Sequence, residues 1–121
     1  MRSSTLRVAI AVAALTVVLF FALTRGSVQP PYVVTAIDYH FHDAHPSFPI
    51  GPGRDLVVRN AGRNVHNVTI PAIGYSEDVA PGEELVIGDI ASRFDGPGRY
   101  TFVCRYHQDR GMSGVLVIAE G

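Results

Sequence analysis

Past residue 31 the chain alternates short apolar runs with clusters of Gly, Pro, Asn and Asp. Tyr32–Phe41 carries Val33, Val34, Thr35, Ile37, Tyr39 and Phe41 and reads as one strand, because β-branched and aromatic side chains fit a pleated, half-buried surface. Pro46, Pro49, Gly51, Pro52 and Gly53 mark a long turn region. Further strands are expected at Leu56–Arg59, closed by Asn60, Ala61 and Gly62, and at Val65–Ile70, closed by Pro71. Glu84–Ile90 follows the turn pair Pro81-Gly82, Arg99–Cys104 follows Gly96-Pro97-Gly98, and Gly114–Ala119 comes last. No run here keeps a 3.6-residue period. Short strands split by regular turn signals predict an all-β, Greek-key β-sandwich.

Ahead of it lies a different pattern. Val8 to Leu23 is apolar apart from Thr16, with Arg2 and Arg7 before it and Arg25 after. A basic start followed by an apolar run has the layout of a secretory signal. As a helix it reaches about 24 Å, slightly short of the roughly 30 Å hydrocarbon core. Ala22 and Thr24 make a poor cleavage site. Residues 1–25 are therefore an N-terminal apolar helix that serves as signal peptide or membrane anchor. Residues 26–31 are a linker, stiffened by Pro30 and Pro31, and residues 32–121 are the folded domain. The basic end stays inside, which places the domain on the extracytoplasmic side.

Charge and cysteine content narrow the function. The 121 residues carry a net charge of −1 and no lysine, so nothing follows a phosphate backbone and nucleic acid is excluded as a partner. Glu77, Asp78, Glu83, Glu84 and Asp89 form an acidic stretch, either a solvated face or a docking patch for a basic partner. One cysteine rules out an internal disulfide. On its own, Cys104 would be a buried small hydrophobe. A lone His66 would be a polar strand residue, and a lone Met112 core filler.

Together they say more. Cys104, His107 and Met112 fall within nine residues, between one strand end and the next strand start, and His66 comes from an earlier strand. A thiolate, two imidazoles and a weak axial thioether make a trigonal copper site. A site poised between the geometries of Cu(I) and Cu(II) reorganises little when an electron arrives. Zinc normally takes a fourth Cys or His where it is structural, and Met is a poor ligand for it. A Cys–His nucleophile usually draws the pair from separate elements. Four filled positions leave no room for substrate, so an enzyme is disfavoured.

The segment Gly98–Ile118, with Cys-x2-His-x4-Met, and the pair His66-Asn67 resemble the cupredoxin family in its plastocyanin and pseudoazurin-like branch. That resemblance spans about Tyr32 to Ala119. It implies that His66 and His107 bind copper through Nδ1, with Cys104 as thiolate and Met112 as axial ligand. Asn67 would tie the two ligand loops together and donate its backbone N–H to the sulfur. His107 would be the solvent-facing electron gate, with Gly111 on its rim. Arg105, Gln108, Asp109 and Arg110 depart from the family by making this loop more charged. The implied function is one-electron transfer by a monomeric domain with redox partners such as a cytochrome, an oxidase or a reductase. The alternative is copper storage, delivery or sensing. A copper-free interaction module with a structural Cys104 is the third.

Asp38, Tyr39, His40, Phe41, His42, Asp43 and His45 remain unassigned by that family pattern. On one continuous strand Asp38, His40 and His42 share a face, with Tyr39 and Phe41 inward. His40, His42 and His45 are thus either outward polar residues or a secondary metal patch.

Overall fold

A computed structural model describes residues 29–43 and 48–121, and among them eight strands form two four-stranded sheets. The expected N-terminal helix at residues 1–25, residues 26–28 of the linker, and His45 lie outside the described residues. No helix among the described residues is long and apolar enough to cross a membrane.

The strands are β1 Tyr32–Ile37, β2 His40–Asp43, β3 Leu56–Asn60, β4 His66–Ile70, β5 Tyr75–Val79, β6 Glu84–Ile87, β7 Gly98–Val103 and β8 Ser113–Ile118. One sheet runs β2-β1-β3-β6, the other β5-β4-β7-β8. The chain crosses between sheets after β3, β5 and β6. β1 and β3 are parallel, and every other named strand pair is antiparallel. Alternation places Tyr32, Val34 and Ala36 of β1 inward, facing Phe102 of β7 and Leu116 of β8 in one core. Cys104 and Met112 belong to that core and are fully buried.

The expected long strand Tyr32–Phe41 is two strands. Ile37 pairs with His40, leaving Asp38 and Tyr39 as a two-residue hairpin turn. Asp38 sits at φ 52°, in the left-handed region that Asp tolerates better than most residues. The fold-back removes Asp38 from the face of His40 and His42. It also takes Tyr39 out of the core, while Phe41 does turn inward onto Phe102 at 4.8 Å between centroids.

Two more boundaries differ. The strand expected to reach Ile90 stops at Ile87, and a 3-10 turn at Ile90–Arg93 follows. β5 carries almost no apolar signal, since only Val79 of its five residues is buried. As a polar edge strand it depends on pairing with β4 along His66↔Val79 to Ile70↔Tyr75. The acidic stretch is also dispersed. Asp78 stands on β5, Glu84 on β6 pairs with Arg59 at 2.6 Å, and Asp89 accepts the Gly53 N–H at 2.7 Å.

Candidate metal centre

Cys104 follows β7 and Met112 precedes β8, so the β7–β8 connection carries three of the four expected ligand residues. Its backbone is closed at the neck. The Cys104 N–H donates to the Met112 carbonyl at 3.0 Å, and the Met112 N–H returns to the His107 carbonyl at 3.2 Å. The His107 N–H donates to the Cys104 carbonyl at 3.1 Å. A 3-10 turn at Gln108–Arg110 then ends on Gly111 at φ 79°, a left-handed conformation that suits glycine. The loop is therefore held by its own hydrogen bonds.

His66 opens β4 at full burial. The turn before it is organised by Asn60, a residue whose role the sequence reading missed. Its amide donates to the Asn64 and Val79 carbonyls at 2.7 and 2.9 Å, and its Oδ1 accepts the Gly62 N–H at 3.0 Å. Gly62 lies against the imidazole; a Cβ there would stand 3.4 Å from His66 Nε2. Burial pushes the His66 pKa below its ordinary value, His107 pushes the same way, and Asp38 opposes. A neutral imidazole is the form that binds a metal.

The ligand atoms converge. Cys104 Sγ lies 3.5 Å from His107 Nδ1 and 4.0 Å from His66 Nδ1, and the three side chains' ligand atoms all fall within 4.8 Å of one another. An ion bonded at about 2.0–2.3 Å to nitrogen and sulfur in a trigonal plane needs N···S separations near 3.8 Å. The two observed distances straddle that value, so the donor set fits one first-row ion. Met112 is fully buried in the hydrophobic core that also contains Cys104.

Around this cluster, Asn67 makes two hydrogen bonds to the Cys104 segment. Its backbone N–H donates to Cys104 Sγ at 3.3 Å, and its Oδ1 accepts the Arg105 N–H at 3.4 Å across the two loops. A further partner comes from β5: Asp78 Oδ1 accepts the Asn67 amide at 2.9 Å, and Asp78 Oδ2 accepts the Tyr106 hydroxyl at 2.6 Å. Those two hydrogen bonds, with Arg105 beyond them, hold the Asp78 carboxyl below its ordinary pKa despite some desolvation. Arg105 in turn stacks on Tyr106 with its guanidinium 4.9 Å from the ring centroid.

His107 is half-buried, not open. Tyr39, at the β1–β2 turn, meets its ring edge-on at 5.0 Å, and the Arg110 guanidinium lies 4.4 Å over Tyr39. The two loop arginines, Arg105 and Arg110, are thus taken up by aromatic faces and Asp78. The sequence reading expects Tyr39 inside the core and Asp78 in the acidic stretch, and assigns Tyr106 no role. Only the hairpin turn and the β4–β5 register bring the first two to the site.

His40 and His42 stand apart from this cluster. Both are exposed on β2, with ring centroids 5.9 Å apart.

The profile of the cupredoxin-like domain matches residues 9–118. No curated protein sequence matches the chain. Among solved structures, the fold resembles amicyanin from Paracoccus versutus at TM-score 0.55 and 20% identity, over 74% of this chain and 81% of that one. It resembles reduced auracyanin from Roseiflexus castenholzii at TM-score 0.55 and 18% identity, over 78% of this chain and 98% of that one. A copper-containing nitrite reductase from Thermus scotoductus SA-01 gives 0.54 and 17%, over 75% of this chain but 23% of the longer one. At such identities the likeness is one of fold. The match of the family profile over most of the sequence is the stronger finding, and by it the chain belongs to the cupredoxin-like domain family.

Proposed function

We propose that the protein is a one-electron carrier with a single type 1 copper, held by His66 Nδ1, Cys104 Sγ and His107 Nδ1 with Met112 as axial ligand. When bound, copper supplies the Cu(II)/Cu(I) couple. The protein supplies everything else. The neck bonds of the β7–β8 loop and the Asn60 turn fix the donors, so little moves when charge changes. Asn67 donates to the sulfur and withdraws density from it, which favours the reduced state. His107, the half-buried donor, is the exit towards a partner.

The observation that carries this reading is the approach of one thiol to two imidazole Nδ1 atoms at 3.5 and 4.0 Å. The apolar run at residues 8–23 supports an extracytoplasmic location, by export or by anchoring. Partners would be redox proteins such as a cytochrome, an oxidase or a reductase. Amicyanin and auracyanin, whose fold this is, support a carrier over an enzyme.

Voltammetry of the copper-loaded chain separates the carrier from a storage or delivery protein. A carrier gives a reversible one-electron wave, with no metal lost over repeated cycles. Release of copper on each reduction would reject electron transfer in favour of copper handling.

A further inference from the structure

The hairpin that carries Tyr39 to His107 also carries two imidazoles that the metal centre does not use. Along β2 exposure alternates, and His40 and His42 both point outward, two residues apart on the same face. Their rings are 5.9 Å apart between centroids and inclined at 64°. The candidate ligands His66 and His107 stand at 5.2 Å and 70°. The surface pair thus has a ring separation and inclination close to those of the two candidate ligand imidazoles.

We propose that His40 and His42 form a second metal site on the outer face of β2, taking Cu(II), or Zn(II) when copper is absent. Imidazole nitrogen suits both ions, and the general order of affinities puts Cu(II) first. Neither imidazole makes a side-chain hydrogen bond among the described residues, so no partner need be displaced. Their cross-strand neighbours are Ile37 opposite His40 and Thr35 opposite His42. These β-branched side chains are stiff at χ1 and flank the imidazoles without bringing a competing charge. Asp43 is not a ligand here. It alternates to the inner face, where its carboxyl lies beside Tyr32.

Two protein ligands leave the remaining positions to water. Such a site exchanges metal readily, whereas the buried thiolate cluster holds it. The surface site is also built without any residue of the buried cluster, so it stands whether or not that cluster binds copper.

The test is a Cu(II) titration of the full chain, followed by paramagnetic resonance. The parent is expected to take two equivalents, the second with the signature of tetragonal Cu(II) with nitrogen ligands. The double variant His40→Ala/His42→Ala is expected to lose that second equivalent and keep the first. Both positions are exposed, so the change spares the core. A parent with no tetragonal, nitrogen-ligated equivalent, or a double variant that keeps it, would overturn the proposal. A parent that shows the tetragonal equivalent alone, lost in the double variant, would sustain it and reject the buried centre instead.

Discussion

Asn67 reaches Cys104 through its backbone, its N–H donating to Sγ across 3.3 Å, while its side chain is pinned from behind by Asp78 at 2.9 Å. The hydrogen bond to the ligand sulfur is thus backed by a carboxylate on a neighbouring strand. Replacing Asn67 by Leu removes the links to Arg105 and Asp78 together. Losses of about 10- to 100-fold in metal affinity are typical when such supporting contacts go. We expect copper affinity to fall within that range and the reduction potential to drop, because a less restrained sulfur donates more strongly to Cu(II). Competition with a chelator and voltammetry measure the two effects. An unchanged affinity would show that the backbone alone holds the geometry.

Met112 is fully buried in the core cluster that includes Cys104, so its thioether cannot be a solvent-exposed bystander. Met112→Gln puts an oxygen donor in its place, which favours Cu(II) and lowers the potential. Met112→Leu removes the donor and raises it. Opposite shifts in the two variants, read by voltammetry, identify the axial position. Shifts of the same sign would place Met112 outside the metal's reach.

Gly114 pairs with Phe102 across β7 and β8, and the Phe102 ring lies directly over it. A Cβ at Gly114 would collide with Phe102 Cζ and stand 2.6 Å from Cε1. The ring cannot retreat easily, because Phe41 packs on it at 4.8 Å. Gly114→Ala is expected to cost about 1–3 kcal/mol, as overpacking usually does. Chemical denaturation of the two forms measures it, and a neutral result would mean that the ring has room to move.

Asp43 gives a pH-dependent prediction. Burial raises its carboxyl above the ordinary value, against the opposing effects of Tyr32 and His42, and its Oδ1 has no hydrogen-bond partner. A folded-state pKa above the unfolded one favours the protonated form in the fold. That contribution is full below the unfolded value, near 3.8, and is lost as pH rises through the folded value. At pH 7 the buried carboxylate is therefore the unfavourable form. Asp43→Asn should raise the melting temperature at pH 7, and the gain should shrink as pH falls towards 3.8. A gain independent of pH would assign the effect to something other than ionisation.

The sequence carried the sandwich and the four candidate ligands because each rests on a local signal. Tyr100, Phe102 and Cys104 alternate into the core, and the Cys-x2-His-x4-Met spacing spans a single loop. What it hid depends on long-range register. β5 reads as loop, since Ser76, Glu77 and Asp78 are polar, and only its pairing with β4 puts Asp78 opposite Asn67. The turn at Asp38 and Tyr39 was masked by a run of β-forming side chains on both sides. Once folded, that turn delivers Tyr39 to His107, a contact between residues far apart in the chain.

The visible and paramagnetic resonance spectra of the Cu(II)-loaded chain, recorded beside those of Cys104→Ser, bear most directly on the thiolate–imidazole centre. The parent should show an intense blue band that disappears on reduction, and the serine variant should have none. A parent with no such band, or a serine variant that retains it, would contradict copper ligation by Cys104.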